Sequence, residues 1–313
     1  MSTLLVTHPA FKRHLTGPGH PERPARMDAI DKVLGHDLFA GLVREEAPLR
    51  EDAEERILLA HPNEHLDAIK RARPGDNETA HLDPDTPMSA GTWEAALRAV
   101  GAGLHAVDRV MTGAAANAFC QVRPPGHHAE SKQAMGFCFF SNAAIAGLYA
   151  RVKYGAERVA IVDFDVHHGN GTQEIFWSDK DLFYGSTHEM PLYPGTGALS
   201  ETGAGNIWNA PLRAGDGGER FRAAMEERIF PALDAFQPDL LMISAGFDAH
   251  EADPLANLRL VEADFLRVTE RLAELARRHC QGRVVSMLEG GYDLTALARS
   301  VAVHVRALME QGA

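Results

Sequence analysis

The sequence predicts an α/β fold in which a mostly parallel sheet is covered by helices on both faces. Three observations predict it. Apolar runs rich in β-branched and aromatic residues recur along the chain and end in turn signals. Segments with helical periodicity lie between them. Several of the runs lead directly into clusters of His, Asp, Gly and Tyr, as expected where parallel strands end together on one ligand-binding edge.

In chain order, the first predicted strand is LLVTH (4–8). A polar stretch, RPGDNETAHLDPDTP (73–87), reads as an exposed loop and not as a domain boundary. A helix is predicted over 89–112, then a strand at AFCQVR (118–123) and a helix over 141–154. RVAIVDFD (158–165) and DLFYGST (181–187) are the next strands, and 217–236 is helical. DLLMISAG (239–246), a helix over 262–279, RVVSMLEGG (283–291) and a helix over 294–310 complete the alternation. Apolar runs that alternate with helices are the mark of strands buried on both faces. No internal repeat, low-complexity tract or long linker divides the 313 residues, so one domain over 1–313 is expected.

Composition narrows the function. Hydrophobic residues make up 45% and charged residues 24%, the mix of a soluble globular protein. No apolar run approaches the roughly 20 residues that span a bilayer. MSTLLVTHPAFKRH lacks the basic lead-in and long apolar stretch of a secretory signal, so a cytoplasmic location and no membrane partner are expected. A net charge of -12 disfavours nucleic acid as a partner and is compatible with a cationic substrate. Cys120, Cys138 and Cys280 show no paired spacing and read as buried free thiols.

The polar clusters carry the chemistry. In IVDFDVHHGNG (161–171), extended backbone would put Asp163, Asp165 and His167 on one side and Phe164 and Val166 on the other. Asp165 and His167 suit one cation, and Asp248, at the end of LLMISAGFD, supplies a third ligand. An Asp–His–Asp set leaves a position open for water, as hydrolytic zinc sites do. Asp163 either orients a catalytic histidine or ligates a hard monovalent cation. A single Asp or His at a strand end is ordinarily a cap or hydrogen-bond partner, and it is the joint pattern that points to a metal. RPPGHHAE (123–130) sets His127 and His128 after a rigid turn, where one can act as a base, with Asp163 and Asn170 as orienting partners. EGGYD places Tyr292 where a phenol can donate to a developing oxyanion.

Taken together, HPERPAR (20–26), RPPGHHAE, GFCFFSNAAIA (136–146), VDFDVHHGNGTQEIF (162–176), YPGTGALSETGAG (193–205), SAGFDAHEADPL (244–255) and LEGGYDL (288–294) resemble the zinc-dependent histone deacetylase superfamily. The likeness is greatest to its class II-like bacterial amidohydrolases. It implies an arginase-like three-layer fold with a central eight-stranded sheet. It implies one catalytic zinc on Asp165, His167 and Asp248, with His127 and His128 in the acid/base steps and Tyr292 polarising the acyl carbonyl. Phe137 and Tyr193 would wall an acyl-lysine tunnel, the Gly136 carbonyl would meet the substrate amide, and Arg26 would line the cavity through which acetate leaves. A structural potassium would use Asp163, Asp165, His167, Ser186 and Thr187, and a second would lie near Phe176, Asp179 and Leu182.

The resemblance implies an acetylated lysine peptide or a small acetylated amine as substrate. Leu255 stands where polyamine-selective members resemble Asp-Pro-Glu, which favours acyl-lysine, with acetylpolyamine hydrolysis as the alternative. Asn170 replaces the Asp of class I members, and the region around Gly91 departs from the class II serine that contacts the substrate backbone. A non-catalytic acyl-binding module and a dinuclear manganese hydrolase are further readings; neither accounts for the complete set of ligands, histidines and tyrosine. Oligomeric state is not legible.

Overall fold

The computed structural model describes residues 2–312. Ten strands form: β1 Thr3–Thr7, β2 Val43–Glu46, β3 Thr79–His81, β4 Pro87–Ser89, β5 Asn117–Cys120, β6 Val159–Asp163, β7 Leu182–Glu189, β8 Ile207–Leu212, β9 Leu240–Ala245 and β10 Val284–Leu288. Eight of them make one sheet in the order β2-β1-β5-β10-β9-β6-β7-β8. Every neighbouring pair in it is parallel.

The strands at the centre, β5, β10, β9 and β6, are buried at every position, which explains their mostly apolar character. Side chains alternate between the two helical layers. Ser286 of β10 meets His304 of the Leu294–Gly312 helix, while Met287 lies against Gly103 of the Thr92–Met111 helix on the opposite face. The Asn142–Tyr154 helix packs beside Thr92–Met111, and Glu262–Cys280 and Ala25–Leu34 pack beside Leu294–Gly312.

All six predicted strands are present. The two outer strands, β2 and β8, escaped the reading because their positions invert its rule. β2 is the charged, largely exposed VREE at one edge, and β8 carries Pro211 at the other. The stretch 73–87, expected to be an exposed loop, is corrected in its second half. β3 pairs antiparallel with β4, and Thr86 and Met88 are fully buried. The helix expected over 217–236 is interrupted by a π turn at Met225–Ile229. Pro231, one residue beyond Phe230, has no N–H to give to the preceding turn. The strand expected to reach Asp165 ends at Asp163, and bends carry the chain through His167. The three cysteines are buried and free. No helix among the described residues is long and apolar enough to cross a membrane.

Sheet order explains why the polar clusters meet. β5, β10, β9 and β6 are consecutive neighbours, and their carboxyl ends lead into 123–128, 289–292, 246–248 and 165–170 respectively.

His304 is fully buried between Thr269 Oγ1 (2.7 Å) and Ser286 Oγ (2.8 Å), and burial pushes its pKa down to about 3. The unfolded chain protonates this residue near its ordinary value of about 6.5, so its contribution to stability is intact above that pH and falls as pH drops toward 3. Urea unfolding from about pH 7.5 to about pH 5.5 is therefore expected to lose about 1 kcal/mol less stability in His304→Gln than in the wild type.

Candidate active site

At the carboxyl edge of β6, β9 and β10, Asp165, His167 and Asp248 present ligand atoms all within 4.8 Å of one another, and all three residues are buried. His167 Nδ1 lies 3.2 Å from Asp165 Oδ1 and 3.2 Å from Asp248 Oδ2. Backbone N–H groups steer both carboxylates. Gly290 donates to Asp165 Oδ2 at 2.8 Å, His167 to Asp165 Oδ1 at 2.9 Å, and Val166 to Asp248 Oδ1 at 2.9 Å. A Cβ on Gly290 would run into the carboxylates of Asp248 and Asp165, so only glycine lets this strand end approach so closely. Burial and the neighbouring Asp165 charge push the Asp248 pKa up. Burial opposes the charged form of His167, and the two carboxylates override it to raise its pKa to about 10. Two crowded carboxylates and an imidazole, turned inward by glycine and N–H donors, fit a divalent cation of the zinc type.

The predicted alternation survives the early end of β6. Asp165 N–H donates to Asp163 Oδ1 at 3.1 Å, and His167 N–H repeats the pattern on Asp165. These turns keep the three polar side chains together while Phe164 packs against Phe247, Phe265 and His304.

The two histidines of the rigid turn lie with ring centroids 4.0 Å apart, in different electrostatic settings. His127 Nδ1 meets Asp163 Oδ2 at 3.0 Å, and Tyr184 Oη donates to the same oxygen at 3.1 Å. Burial opposes its charge, but Asp165 and Asp163 push its pKa up to about 10. His128 Nδ1 meets Asn170 Oδ1 at 2.8 Å. Burial, then the neighbouring His127 and His167, hold its pKa well below the ordinary value. Asn170 Nδ2 donates to Glu130 Oε1 at 2.8 Å, which fixes the amide so that its oxygen faces His128. His128 therefore carries its proton on Nδ1 and leaves Nε2 unprotonated.

Around this floor stand aromatic groups. Tyr193, 38% exposed, sets its ring 5.1 Å from His128 and 6.3 Å from His167. Phe137 packs edge-on to Tyr292 at 5.9 Å and to His20 at 4.7 Å. Gly136, at φ 56, lies where a Cβ would strike the His128 ring and the Tyr193 hydroxyl. Phe137 itself adopts φ 69, and its N–H donates to Thr86 Oγ1 at 3.0 Å. Thus the β4 hairpin, read as loop, braces a wall of the site.

Tyr292 is buried, and its N–H donates to Asp253 Oδ2 at 2.7 Å. Asp253 Oδ1 accepts from the N–H of Leu255 at 3.0 Å, so one carboxylate joins the Leu255 turn to Tyr292. Arg26 is fully buried. It donates to the carbonyls of Gly291 (2.7 Å) and Glu289 (2.5 Å) and pairs with Glu22 at 3.0 Å. Its Cζ lies 5.1 Å from the centre of the Tyr292 ring.

Several contributors were missed. Glu289 accepts from the N–H groups of Gly126 (2.7 Å) and His127 (3.2 Å) and from Ser244 Oγ (3.1 Å). Glu22 pairs with both Arg26 and Arg123. Glu22, Arg123 and Glu289 lie inside the quoted motifs, where their charge was the available signal; Tyr184 carried none beyond a strand residue.

The residues proposed for potassium separate into two cases. Asp163 and Ser186 are register partners on β6 and β7. The carbonyls of Asp165 and His167 accept no hydrogen bond among the described residues, and Ser186 Oγ bonds His188 Nδ1 at 2.9 Å. Such an all-oxygen set fits a hard cation. The carbonyls of Phe176, Asp179 and Leu182 also converge, but upon the side-chain amide nitrogen of Asn206.

Comparison with known proteins agrees with this geometry. Residues 20–308 match the family model described as histone deacetylase domain. The chain is 39% identical to histone deacetylase 10, chloroplastic, of Oryza sativa subsp. japonica, over 98% of this chain and 73% of that one. It is 39% identical to the histone deacetylase-like amidohydrolase of Pseudomonas aeruginosa, over 88% of this chain and 73% of the relative. The crystal structure of the HDA15 HD domain superposes with a TM-score of 0.92 at 36% identity, covering 99% of this chain and 88% of the other. The fold is the arginase/deacetylase fold.

Metal-free protein titrated with Zn2+ is expected to gain thermal stability, by about 4 kcal/mol when free metal exceeds Kd about 1,000-fold. Asp248→Asn keeps the Val166 contact but removes a charged ligand, and should lose that gain. An equal gain in wild type and variant, read by calorimetry, would remove Asp248 from the site.

Proposed function

The chain belongs to the histone deacetylase family, and on that premise we propose that this hydrolase is a zinc-dependent amidohydrolase that frees lysine side chains of acetyl groups and releases acetate. One observation carries the reading. An Asp–His–Asp set, a histidine pair split into a neutral and a cationic member, and Tyr292 belong to one aromatic-walled site.

Asp165, His167 and Asp248 would hold the metal, which when bound supplies Lewis-acid polarisation of the acyl oxygen and a more acidic water. His128 Nε2 takes the proton of the attacking water as its oxygen bonds to the carbonyl carbon. Asn170 stabilises the resulting imidazolium only as a neutral acceptor, so the proton is readily passed on. His127, held cationic by Asp165 and Asp163, adds positive charge beside the developing oxyanion without moving its own proton. The Tyr292 hydroxyl donates to that oxyanion, a contribution worth roughly 3–4 kcal/mol for one well-placed donor. The carbon–nitrogen bond then breaks, and His128 delivers its proton to the departing amine. The rings of Phe137 and Tyr193 suit the methylenes of a lysine chain, and Leu255 offers a distant ammonium only apolar contact. An all-oxygen set at Asp163, Asp165, His167, Ser186 and Thr187 holds one structural potassium in this reading. The expected cytoplasmic location and single domain remain part of it.

A panel of acetyl-lysine peptides, acetylspermidine and acetylputrescine, with metal content measured in parallel, tests the substrate. Acetyl-lysine peptides are expected to turn over fastest; preference for the polyamines would overturn the lysine assignment. Tyr292→Phe should lower kcat about 100-fold or more with bound zinc unchanged. Leu255→Glu should raise the ratio of acetylspermidine to acetyl-lysine turnover about tenfold, as a new carboxylate meets the distant ammonium.

A further inference from the structure

Asn206, in the turn before β8, is buried, and its amide nitrogen stands at the centre of a carbonyl cage. Nδ2 lies 2.8 Å from the Phe176 carbonyl oxygen, 3.1 Å from that of Asp179 and 2.7 Å from that of Leu182. The other end of the amide settles its orientation. Asn206 Oδ1 accepts from the Ala204 N–H at 2.9 Å. Turning the amide over would set an oxygen against three oxygens and an NH2 group against an N–H, so the observed orientation is the one chemistry permits.

These are the carbonyls that the sequence resemblance assigns to a second structural potassium. Rings of backbone carbonyls hold potassium by replacing its hydration shell. Here the centre is already filled by the positive end of an amide dipole from the chain itself. No free carboxylate adds to the cage, because Asp179 Oδ2 pairs with Arg151 at 2.5 Å and its Oδ1 accepts from Asp181 N–H at 3.0 Å. The residues therefore do not fit a bound ion while Asn206 is in place.

We infer that the Asn206 amide takes the place of a monovalent cation, closing the end of the Asn170–Phe176 helix onto β7 without an ion. A helix terminus leaves carbonyls without intrahelical partners, and Phe176 provides one of them. Asn206 joins the Asp179 N–H (3.3 Å) in satisfying it and ties it to Asp179 and Leu182, where β7 begins, while its own carbonyl accepts from Tyr184 N–H at 3.1 Å. That helix begins with Asn170, the partner of His128, and β7 carries Tyr184, the partner of Asp163. One side chain thus fixes the spacing of the two elements that orient the histidine pair. The inference concerns the fold and stands apart from the proposed reaction.

Crystals of the wild-type protein grown without potassium and soaked in thallium(I), which scatters anomalously, test it directly. No anomalous peak is expected among the Phe176, Asp179 and Leu182 carbonyls. A peak there, with the Asn206 amide displaced, overturns the inference, and this measurement needs no variant to fold. Asn206→Asp keeps the shape and exchanges both donors for an oxygen, leaving four oxygens facing one another. Its melting temperature is expected to rise about 5 °C more than that of the wild type when potassium replaces tetramethylammonium. An equal response of the two proteins to potassium would show that the cage takes no cation, and would also overturn the inference.

Discussion

Two carboxylates, Asp165 and Asp248, are buried side by side against one imidazole, and the surrounding structure depends on making that juxtaposition tolerable. Two such charges within 4.8 Å repel by about 3 kcal/mol even at an effective dielectric of about 20. The chain answers with dipoles. Val166, His167 and Gly290 each aim an N–H at one carboxylate oxygen, and His167 sits between the pair. Those donors come from the ends of β6 and β10, while Asp248 follows β9, so the arrangement requires the neighbour order β10-β9-β6. In the proposed reading a divalent cation would complete the neutralisation, which would couple metal affinity to folding stability.

Outside the ligands, a buried charged framework keeps the strand-end loops in place. Glu289 gathers the His127 turn by its N–H groups, and Arg26 grips the backbone of Glu289 and Gly291. Glu22 bridges Arg26 to Arg123, whose Nη1 reaches the carbonyls of Phe11 and His14. Removing one partner of such a buried set leaves an uncompensated charge, at a cost of about 3–5 kcal/mol. Arg26 thereby ties the Ala25–Leu34 helix to the loop that carries Tyr292, through its Nε, Nη1 and Nη2 donors.

The parts of the fold legible in sequence were those where burial dictates composition. β5, β6, β9 and β10 are covered on both faces and read as apolar runs; β2 and β8 lie at the edges, where charge and proline are favoured, and left no such trace. The metal-ligand candidates were legible because Asp and His are rare at the ends of buried strands. Their supports were not. Thr86 braces Phe137, Asp253 joins Leu255 to Tyr292, and Tyr184 reaches Asp163, each through contacts between segments distant in sequence. Residue type alone says nothing of such partners until the sheet order brings them together.

His127 and His128 differ in the charges that surround them. Both rings are buried, both direct Nδ1 to a side-chain oxygen, and they nearly touch, so two imidazolium ions cannot coexist there without several kcal/mol of repulsion. The Asp165 and Asp163 carboxylates draw the charge to His127, while burial and the neighbouring His127 and His167 keep it from His128. Glu130 completes the arrangement by holding the Asn170 amide in the orientation that dictates the His128 tautomer. An aspartate at position 170 would still accept from Nδ1, but it would compete for the shared charge and raise the basicity of His128. In the proposed reaction the asparagine would thus set a base that gains a proton only while a substrate is being attacked, and loses it again to the departing amine.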